Sequence, residues 1–329
     1  LKRDRSFFPG IPATTETASA QKPKLTDRSR FQQDFQMYRG RLAPSPTGWL
    51  HLGHASTFWQ AFLRARAANG ALILRIEDLD GPRCRKEFFD GIIQDLRWFG
   101  LNWQEGPDCG GPFSPYVQSE RQETYRAAFE TLKAQGLVYP CACSRKDVLE
   151  ALQAPHAGFE EPVYPGTCRP AASRKIQPAA NDSSLTTGDP IARGARKFNW
   201  RFRVPDGEVI AFDDGCFGMQ RFSAGTDFGD FVVWRHDGLP SYQLAVVADD
   251  SAMKITEVVR GADLLLSTAR QSLLYRALGL QPPAFYHCPL ITDKTGARLA
   301  KRHDALSLRQ LRQQGFTPET LRKEWAVFA

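Results

Sequence analysis

An α/β fold built on a parallel sheet is the class this sequence predicts, and three observations predict it. Between Arg41 and Ile76 the order is short strand, turn, helix, strand, the pattern of a βαβ unit, whose parallel strands need a crossover helix. A second stretch of the same kind runs from Phe231 to Leu280. The chain has 329 residues, 42% hydrophobic and 24% charged, which is about two domains with a sizeable core. No apolar run reaches the ~18 residues of a membrane span.

Each element has a local cause. Arg41-Leu42-Ala43 reads as a strand, and Pro44-Ser45-Pro46-Thr47-Gly48 ends it, because two prolines and a glycine continue no regular element. From His51 to Ala68 the residues Leu52, Ala55, Phe58, Trp59, Phe62 and Leu63 recur at helical spacing, and Asn69-Gly70 closes that helix. Ala71 to Ile76 is a buried strand. Helices follow near 86–99 and 120–135, with Ser119 and Gln122 at capping-box spacing and Gly136 as the residue beyond the C-cap. Residues 169–196 are rich in Ala, Ser, Pro, Asp and Asn without periodicity and predict a flexible loop. Phe198 to Val204 resumes regular structure, and one helix is expected after Thr317-Pro318.

Charge and cysteine usage narrow the function. Lys and Arg number 43 against 36 Asp and Glu, a net +7 that fits an anionic partner such as nucleic acid or a nucleotide. Seven cysteines cannot all pair, and Cys141, Cys143 and Cys168 cluster as metal ligands do in a reducing compartment. Residues 1–37 carry seven basic and four acidic residues without periodicity, and are expected to be a disordered extension. They hold no apolar stretch of secretory type, and the cytoplasm is the expected location.

Four motifs carry chemistry. Pro44 to His54 (PSPTGWLHLGH) places His51, Gly53 and His54 at a strand-to-helix turn, where helix N–H groups and two imidazoles can meet phosphate, and Gly53 lets a nucleotide lie against the backbone. Arg75-Ile76-Glu77-Asp78-Leu79-Asp80 follows a strand, the place of ligand sites in open α/β sheets, and its three carboxylates can hold an ammonium or a metal. Cys141-x-Cys143 and Cys168 supply three of the four ligands zinc wants, with Tyr164 and His156 as local candidates for the fourth. Thr292 to Arg302 (TDKTGARLAKR) is a Gly-containing basic loop able to close over a polyphosphate. Each taken alone has a plain structural alternative, such as incidental surface histidines, a solvated acidic turn, buried cysteines or a solvated basic loop. GxGxxG and GxxxxGK[ST] are both missing.

Together, and in this order over residues 38–303, the motifs resemble a class I aminoacyl-tRNA synthetase of the glutamyl-tRNA synthetase group. PSPTGWLHLGH resembles the HIGH motif and RLAKR the KMSKS loop. Ser119-Glu120-Arg121, Asp230 through Asp250, and Ile255 to Leu265 (ITEVVRGADLL) resemble the group as well. The 28 residues after Lys301 are too few for an anticodon-binding domain, and that layout resembles the glutamyl-Q tRNA(Asp) synthetase family. The family activates glutamate with ATP and attaches it to the queuosine base at the wobble position of tRNA(Asp). The resemblance implies a Rossmann-like parallel sheet with an inserted zinc-containing, acceptor-binding-like subdomain. Beyond the 1–37 extension, which has no counterpart in that layout, it divides the chain into catalytic halves at 38–136 and 231–303, an insertion at 137–230 and a helical segment at 304–329.

The resemblance also implies roles. Arg41, Ala43 and Ser45 line the glutamate pocket, Glu77 holds the α-ammonium, Tyr242 closes one wall, and Arg260 pairs with a glutamate carboxylate through a bidentate fork. His51, Gly53, His54 and Lys301 bind ATP, Lys301 stabilising the α-phosphate under attack. Cys141, Cys143, Tyr164 and Cys168 hold one structural Zn2+, which favours Tyr164 over His156, and Mg2+ accompanies ATP. Implied partners are ATP, L-glutamate and queuosine-containing tRNA(Asp), with no membrane and a monomeric chain. In the basic loop, Arg298 replaces the first Lys of KMSKS and Ala300 its Ser, while Lys301 keeps the second Lys.

Overall fold

In a computed structural model of the chain the described residues are 37–143, 163–171, 198–291 and 307–328, with the side chains of 324–328 excepted. The expected extension, most of the 169–196 loop, His156 and the basic loop with Lys301 lie outside them.

The predicted βαβ unit is present. Strand β1 (Arg39–Leu42) pairs in parallel with β2 (Ala71–Leu74), and helix α1 (Leu52–Ala67) connects them. All four residues of each strand are buried; in β2 a continuous apolar run signals this, whereas β1 buries Arg39 and Arg41 and carries no such run. Helices α2 (Lys86–Trp98) and α3 (Gln122–Ala134) fall where periodicity puts them. The capping box does not: Arg121 is the N-cap of α3, and Ser119 instead donates its hydroxyl and amide to Asp78 at 2.7 and 2.8 Å.

Next come β3 (Val138–Cys141), β4 (Asn199–Phe202), β5 (Val209–Asp214), β6 (Gly218–Ser223) and β7 (Phe231–Trp234). Helix α4 (Tyr242–Ala252), strand β8 (Glu257–Gly261), helix α5 (Leu265–Ala277) and strand β9 (Ala284–Cys288) follow. The 231–280 stretch is not one βαβ unit. β7 joins an antiparallel sheet in the order β3-β4-β7, and the parallel unit is β8-α5-β9. β9 also takes β5 as a parallel neighbour, and β5 forms a hairpin with β6, so part of the 137–230 segment extends the sheet under the cavity. Thr256 joins the two parallel sets: its hydroxyl accepts from the Arg39 amide at 2.8 Å and its amide donates to the Arg39 carbonyl at 2.9 Å.

After the basic loop there are two helices where one was expected, α6 (Leu308–Gln313) and α7 (Pro318–Phe328). Ser307 and Gln310 make the capping box that starts α6. The Leu308 amide donates to the Leu50 carbonyl at 2.7 Å, which ties the far end of the basic loop to the first motif. One apolar cluster joins α1, β1, β2, α2 and α6 through Leu42, Phe58, Leu74, Leu96 and Leu308; another joins α3, α4, α5, β7 and β8. No described helix is long and apolar enough to cross a membrane.

Candidate active site

The ends of β1 and β8, the PSPTG turn and the first turns of α1 and α4 surround a cavity of about 600 Å³. Arg41, Ala43, Ser45, His51, Gly53, His54, Glu77, Tyr242 and Arg260 all line it. Segments separated by more than 200 residues thus converge where strands end, as ligand sites in such sheets do.

The turn is held by its hydrophobic neighbour. Trp49 packs edge-on to Phe88 at 5.1 Å, Arg309 stacks over it at 4.7 Å, and a Cβ at Gly91 of α2 would collide with its ring. His51 is the N-cap of α1. Its Nδ1 accepts the Gly53 amide at 3.1 Å, while His54 Nδ1 accepts the His51 amide at 3.4 Å. Two of the helix's orphan N–H groups are therefore used internally, which corrects the expectation that they are free for phosphate. Each ring keeps its Nε2–H to donate, because Nδ1 is the acceptor in both. The rings stack 3.8 Å apart, and a Cβ at Gly53 would stand 3.1 Å from His51 Cε1, so this glycine makes room for the imidazole itself. Burial lowers the pKa of both rings, and for His54, which keeps an edge open to the cavity, the neighbouring His51 adds to it. Both are neutral hydrogen-bond donors near neutral pH.

Beneath the turn lies a buried ionic network. Arg75, with no exposed surface, reaches Glu77 Oε1 at 2.8 Å, Asp250 Oδ1 at 2.6 Å and Asp249 Oδ2 at 3.7 Å. Asp249 also accepts from Arg121 at 2.6 Å, Gln118 at 2.8 Å and Tyr125 at 2.9 Å. Buried charge is tolerated when matched in this way, and breaking one partner is costly. Glu77 Oε1 is thereby committed to Arg75, and Oε2 has no partner among the described bonds. Burial raises the Glu77 pKa, with Arg75 and Arg41 opposing it. Arg41 donates to the Val259 carbonyl at 3.0 Å and its Nε lies 3.6 Å from Asp250. Of the three carboxylates after β2 only Glu77 faces the cavity: Asp78 holds Ser119, and Asp80 accepts from Arg83 at 2.6 Å.

Arg260 is 4% exposed, and every bond described for it goes to a neutral group. Nη2 donates to Thr268 at 2.6 Å and to Gln271 at 2.8 Å, Nε to His287 Nε2 at 3.2 Å, and Nη1 to the Tyr242 hydroxyl at 3.3 Å. The bidentate fork expected of Arg260 is not offered, since both Nη2 protons and the Nε proton are taken. A carboxylate here meets one Nη1–H and the Tyr242 hydroxyl, which accepts from Arg260 and keeps its own proton to donate. Asp263 also lines the cavity, set against Gly261 beside Leu290.

A second cluster lies apart from the cavity's lining. The Sγ atoms of Cys141, Cys143 and Cys168 all lie within 4.8 Å of one another. The Tyr164 hydroxyl is 3.3 Å from Cys141 Sγ and 3.6 Å from Cys143 Sγ, and Cys143 and Cys168 are 3.5 Å apart. A tetrahedral ion with bonds of about 2.3 Å to sulfur and about 2.0 Å to oxygen sets ligand atoms roughly 3.5–3.8 Å apart, so these four donors fit one metal ion. Arg201 donates to Cys141 Sγ at 3.2 Å and lies over the Tyr164 ring at 3.9 Å, where its charge offsets the anions such a site gathers. Burial would raise Cys168, but the Tyr164 hydroxyl and the Ala142 amide draw it down to about 7.

Sequence reasoning quoted Arg75, Asp249 and Asp250 without giving them a task, and it missed Thr268, Gln271, His287 and Asp214 entirely. For Thr268, Gln271 and His287 the available signal was polar residues at core-facing positions of α5 and β9; for Asp214, at the end of β5, there was none.

Residues 37–328 match the family model of the class I (E and Q) tRNA synthetases, catalytic domain, and the chain belongs to that family. Within it, the chain is a ligase 50% identical over 279 residues to the glutamyl-Q tRNA(Asp) synthetase of Nitratidesulfovibrio vulgaris, spanning 85% of this chain and 82% of that protein. It is 42% identical over 281 residues to glutamate–tRNA ligase 2 of Nitrosococcus oceani, spanning 85% of this chain and 57% of that one. The crystal structure of a glutamate tRNA ligase from Elizabethkingia meningosepticum in complex with its amino acid superposes with a TM-score of 0.66 at 31% identity. That match covers 85% of this chain and 54% of the other, so the chain spans about half the length of the solved relative.

Proposed function

We propose that the chain activates L-glutamate with ATP and transfers it to the queuosine base of tRNA(Asp). The observation that supports the substrate is the charge that lines the cavity: two guanidiniums, Arg41 and Arg260, with the Glu77 carboxylate, while the other lining carboxylate, Asp263, is set apart against Gly261 and Leu290. It is the complement of two carboxylates and one ammonium. Glu77 Oε2 takes the ammonium. Arg41, with Ala43 and Ser45 beside it, takes one carboxylate, and Arg260 with Tyr242 takes the other. Glutamine would set an amide N–H2 against the Arg260 guanidinium, which has no acceptor for it.

The α-carboxylate oxygen attacks the α-phosphorus of ATP, one P–O bond forms, and pyrophosphate leaves with the electrons of the broken one. The protein supplies position and charge. The neutral Nε2–H groups of His51 and His54 hold phosphate oxygens, and Lys301, which lies outside the described residues, offsets charge at the α-phosphate. Mg2+ enters as part of the ATP substrate. Cys141, Cys143, Tyr164 and Cys168 are assigned to one Zn2+, which supplies a structural cross-link to a segment with little apolar core. Residues 137–230, between catalytic halves 38–136 and 231–303, are read as the insertion that meets RNA.

Queuosine as acceptor is supported by the higher identity to a glutamyl-Q tRNA(Asp) synthetase than to a glutamate–tRNA ligase over nearly the same residues, 50% against 42%. Glutamate-dependent ATP–pyrophosphate exchange without tRNA, lost in Lys301→Ala with the fold intact, tests the activation step. Unchanged exchange in that variant overturns the role of Lys301.

A further inference from the structure

We infer that His287 and Asp214 are a positioning pair that aims Arg260, so that selectivity for an acidic substrate is set from beneath the cavity by β9 and β5. The inference rests on the glutamate reading above and concerns how that site is held.

The two residues lie behind Arg260. His287 is opposite Arg260 in the β8–β9 register and has no exposed surface, and Asp214, 2% exposed, ends β5. Asp214 Oδ2 stands 2.6 Å from His287 Nδ1. The same carboxylate accepts the amides of Cys216 at 3.1 Å, Phe217 at 2.9 Å and His287 at 3.1 Å. With so many donors it stays ionised and acts as an acceptor only, so Nδ1 must carry the imidazole proton. His287 Nε2 is then left with its lone pair as an acceptor: Arg260 Nε–H donates to it at 3.2 Å, and the Thr268 hydroxyl, itself an acceptor from Arg260, stands 3.0 Å from it. The tautomer is fixed by the carboxylate, and the tautomer fixes the guanidinium.

The choice of a neutral acceptor has a consequence. A carboxylate at position 287 would hold Arg260 as firmly but would neutralise it. An imidazole, with the Thr268 hydroxyl and the Gln271 amide oxygen, takes up N–H groups while leaving the positive charge for a ligand. These partners occupy the Nε and Nη2 protons, so Nη1 is the edge left toward Tyr242 and the cavity. Held in this way the guanidinium keeps its full charge and a fixed Nη1–H toward the cavity and offers no acceptor to an amide N–H2, whereas one free to turn can lean to the amide oxygen alone. Arg260 touches substrate in this account; His287 and Asp214 act through it.

The test uses the full chain in glutamate-dependent ATP–pyrophosphate exchange. His287→Phe keeps a ring and removes the acceptor; His287→Gln restores an acceptor through its amide oxygen. His287→Phe is expected to raise the KM for glutamate 10-fold or more, to narrow the preference for glutamate over glutamine, and to leave the KM for ATP within about 2-fold. His287→Gln is expected to recover part of the loss. A merely structural role would lower thermal stability and move both KM values together. Independently of activity, long-range 1H–15N spectra of the wild-type imidazoles, with His287 assigned by its absence in a variant, are expected to show the Nδ1–H tautomer. An Nε2–H tautomer or an imidazolium at pH 7 overturns the inference, as does a folded His287→Phe protein with wild-type glutamate KM and wild-type rejection of glutamine. A wild-type chain that supports exchange with no glutamate at all overturns the glutamate reading itself, a separate failure.

Discussion

Glu77→Gln is the sharpest perturbation of the site. The substitution keeps the shape and keeps an oxygen for Arg75, whose Nη2 lies 2.8 Å from Oε1. It removes the charge and, with the oxygen kept for Arg75, puts an N–H2 donor in place of Oε2, the atom assigned to the substrate ammonium. A hydrogen bond to a charged group is worth about 1.5–3 kcal/mol, and ~1.4 kcal/mol is tenfold in affinity, so the KM for glutamate should rise roughly 10- to 150-fold. The fold should tolerate the change, because burial already raises the Glu77 pKa and Arg75 keeps Asp250 at 2.6 Å. ATP–pyrophosphate exchange with glutamate varied at saturating ATP, then the reverse, separates the effects: glutamate KM up, ATP KM unchanged. A Glu77→Gln enzyme with wild-type glutamate KM would refute the ammonium assignment, and a rise confined to ATP would place Glu77 in the wrong subsite.

The remaining expectations concern the metal, a buried carboxylate and the histidine pair. Elemental analysis should find one zinc per chain and a loss of most of it in Cys141→Ser; full metal content in that variant rejects the ligand set. Asp95, 3% exposed and near the C-terminal end of α2, has its pKa raised to about 6 by burial, against the pull of Arg309 and Arg312. The folded state thus binds the proton more tightly than the unfolded chain, and stability falls as pH rises from about 4 through 6. Asp95→Asn should gain about 1–3 kcal/mol at pH 8 and almost nothing at pH 4, read as Tm at each pH; an unchanged or lowered Tm at pH 8 contradicts it. His51 is lowered below the ordinary histidine value and His54 is drawn down to about 3, so the KM for ATP should be flat from pH 8 to 6.5. Over the same range the unfolded chain takes up protons near 6.5 that the folded rings refuse, so stability falls as pH drops. An ATP KM that changes around pH 6.5 by more than the titration of ATP's own terminal phosphate accounts for would mean a ring is charged there.

Much of the site was legible because its residues stand beside punctuation. Pro44, Pro46 and Gly48 mark where β1 stops, the 3.6-residue apolar period from Leu52 marks α1, and an apolar run marks β2. Side chains at strand ends next to such marks fall at the sheet's ligand edge, which is why Arg41, Glu77 and Arg260 arrive in one cavity. What local pattern does not carry is pairing at long range. Asp214 meets His287 across 73 residues only because β5 lies beside β9, and nothing around Asp214 in sequence announces that neighbour. The acidic run after β2 was ambiguous for the same reason: three adjacent carboxylates look alike until Ser119, Arg83 and Arg75 divide them. β7 read as part of a parallel unit because its apolar residues say that it is a buried strand and not which sheet it joins.

The most direct test of the central claim is attachment of labelled glutamate by the purified chain with ATP to tRNA(Asp) that carries or lacks queuosine. The account predicts a stable label on queuosine-containing tRNA(Asp) and none on the unmodified transcript. Label on tRNA(Glu) in place of tRNA(Asp) would make the chain a 3′-end-charging ligase, and label on no tRNA despite glutamate activation would contradict the transfer step.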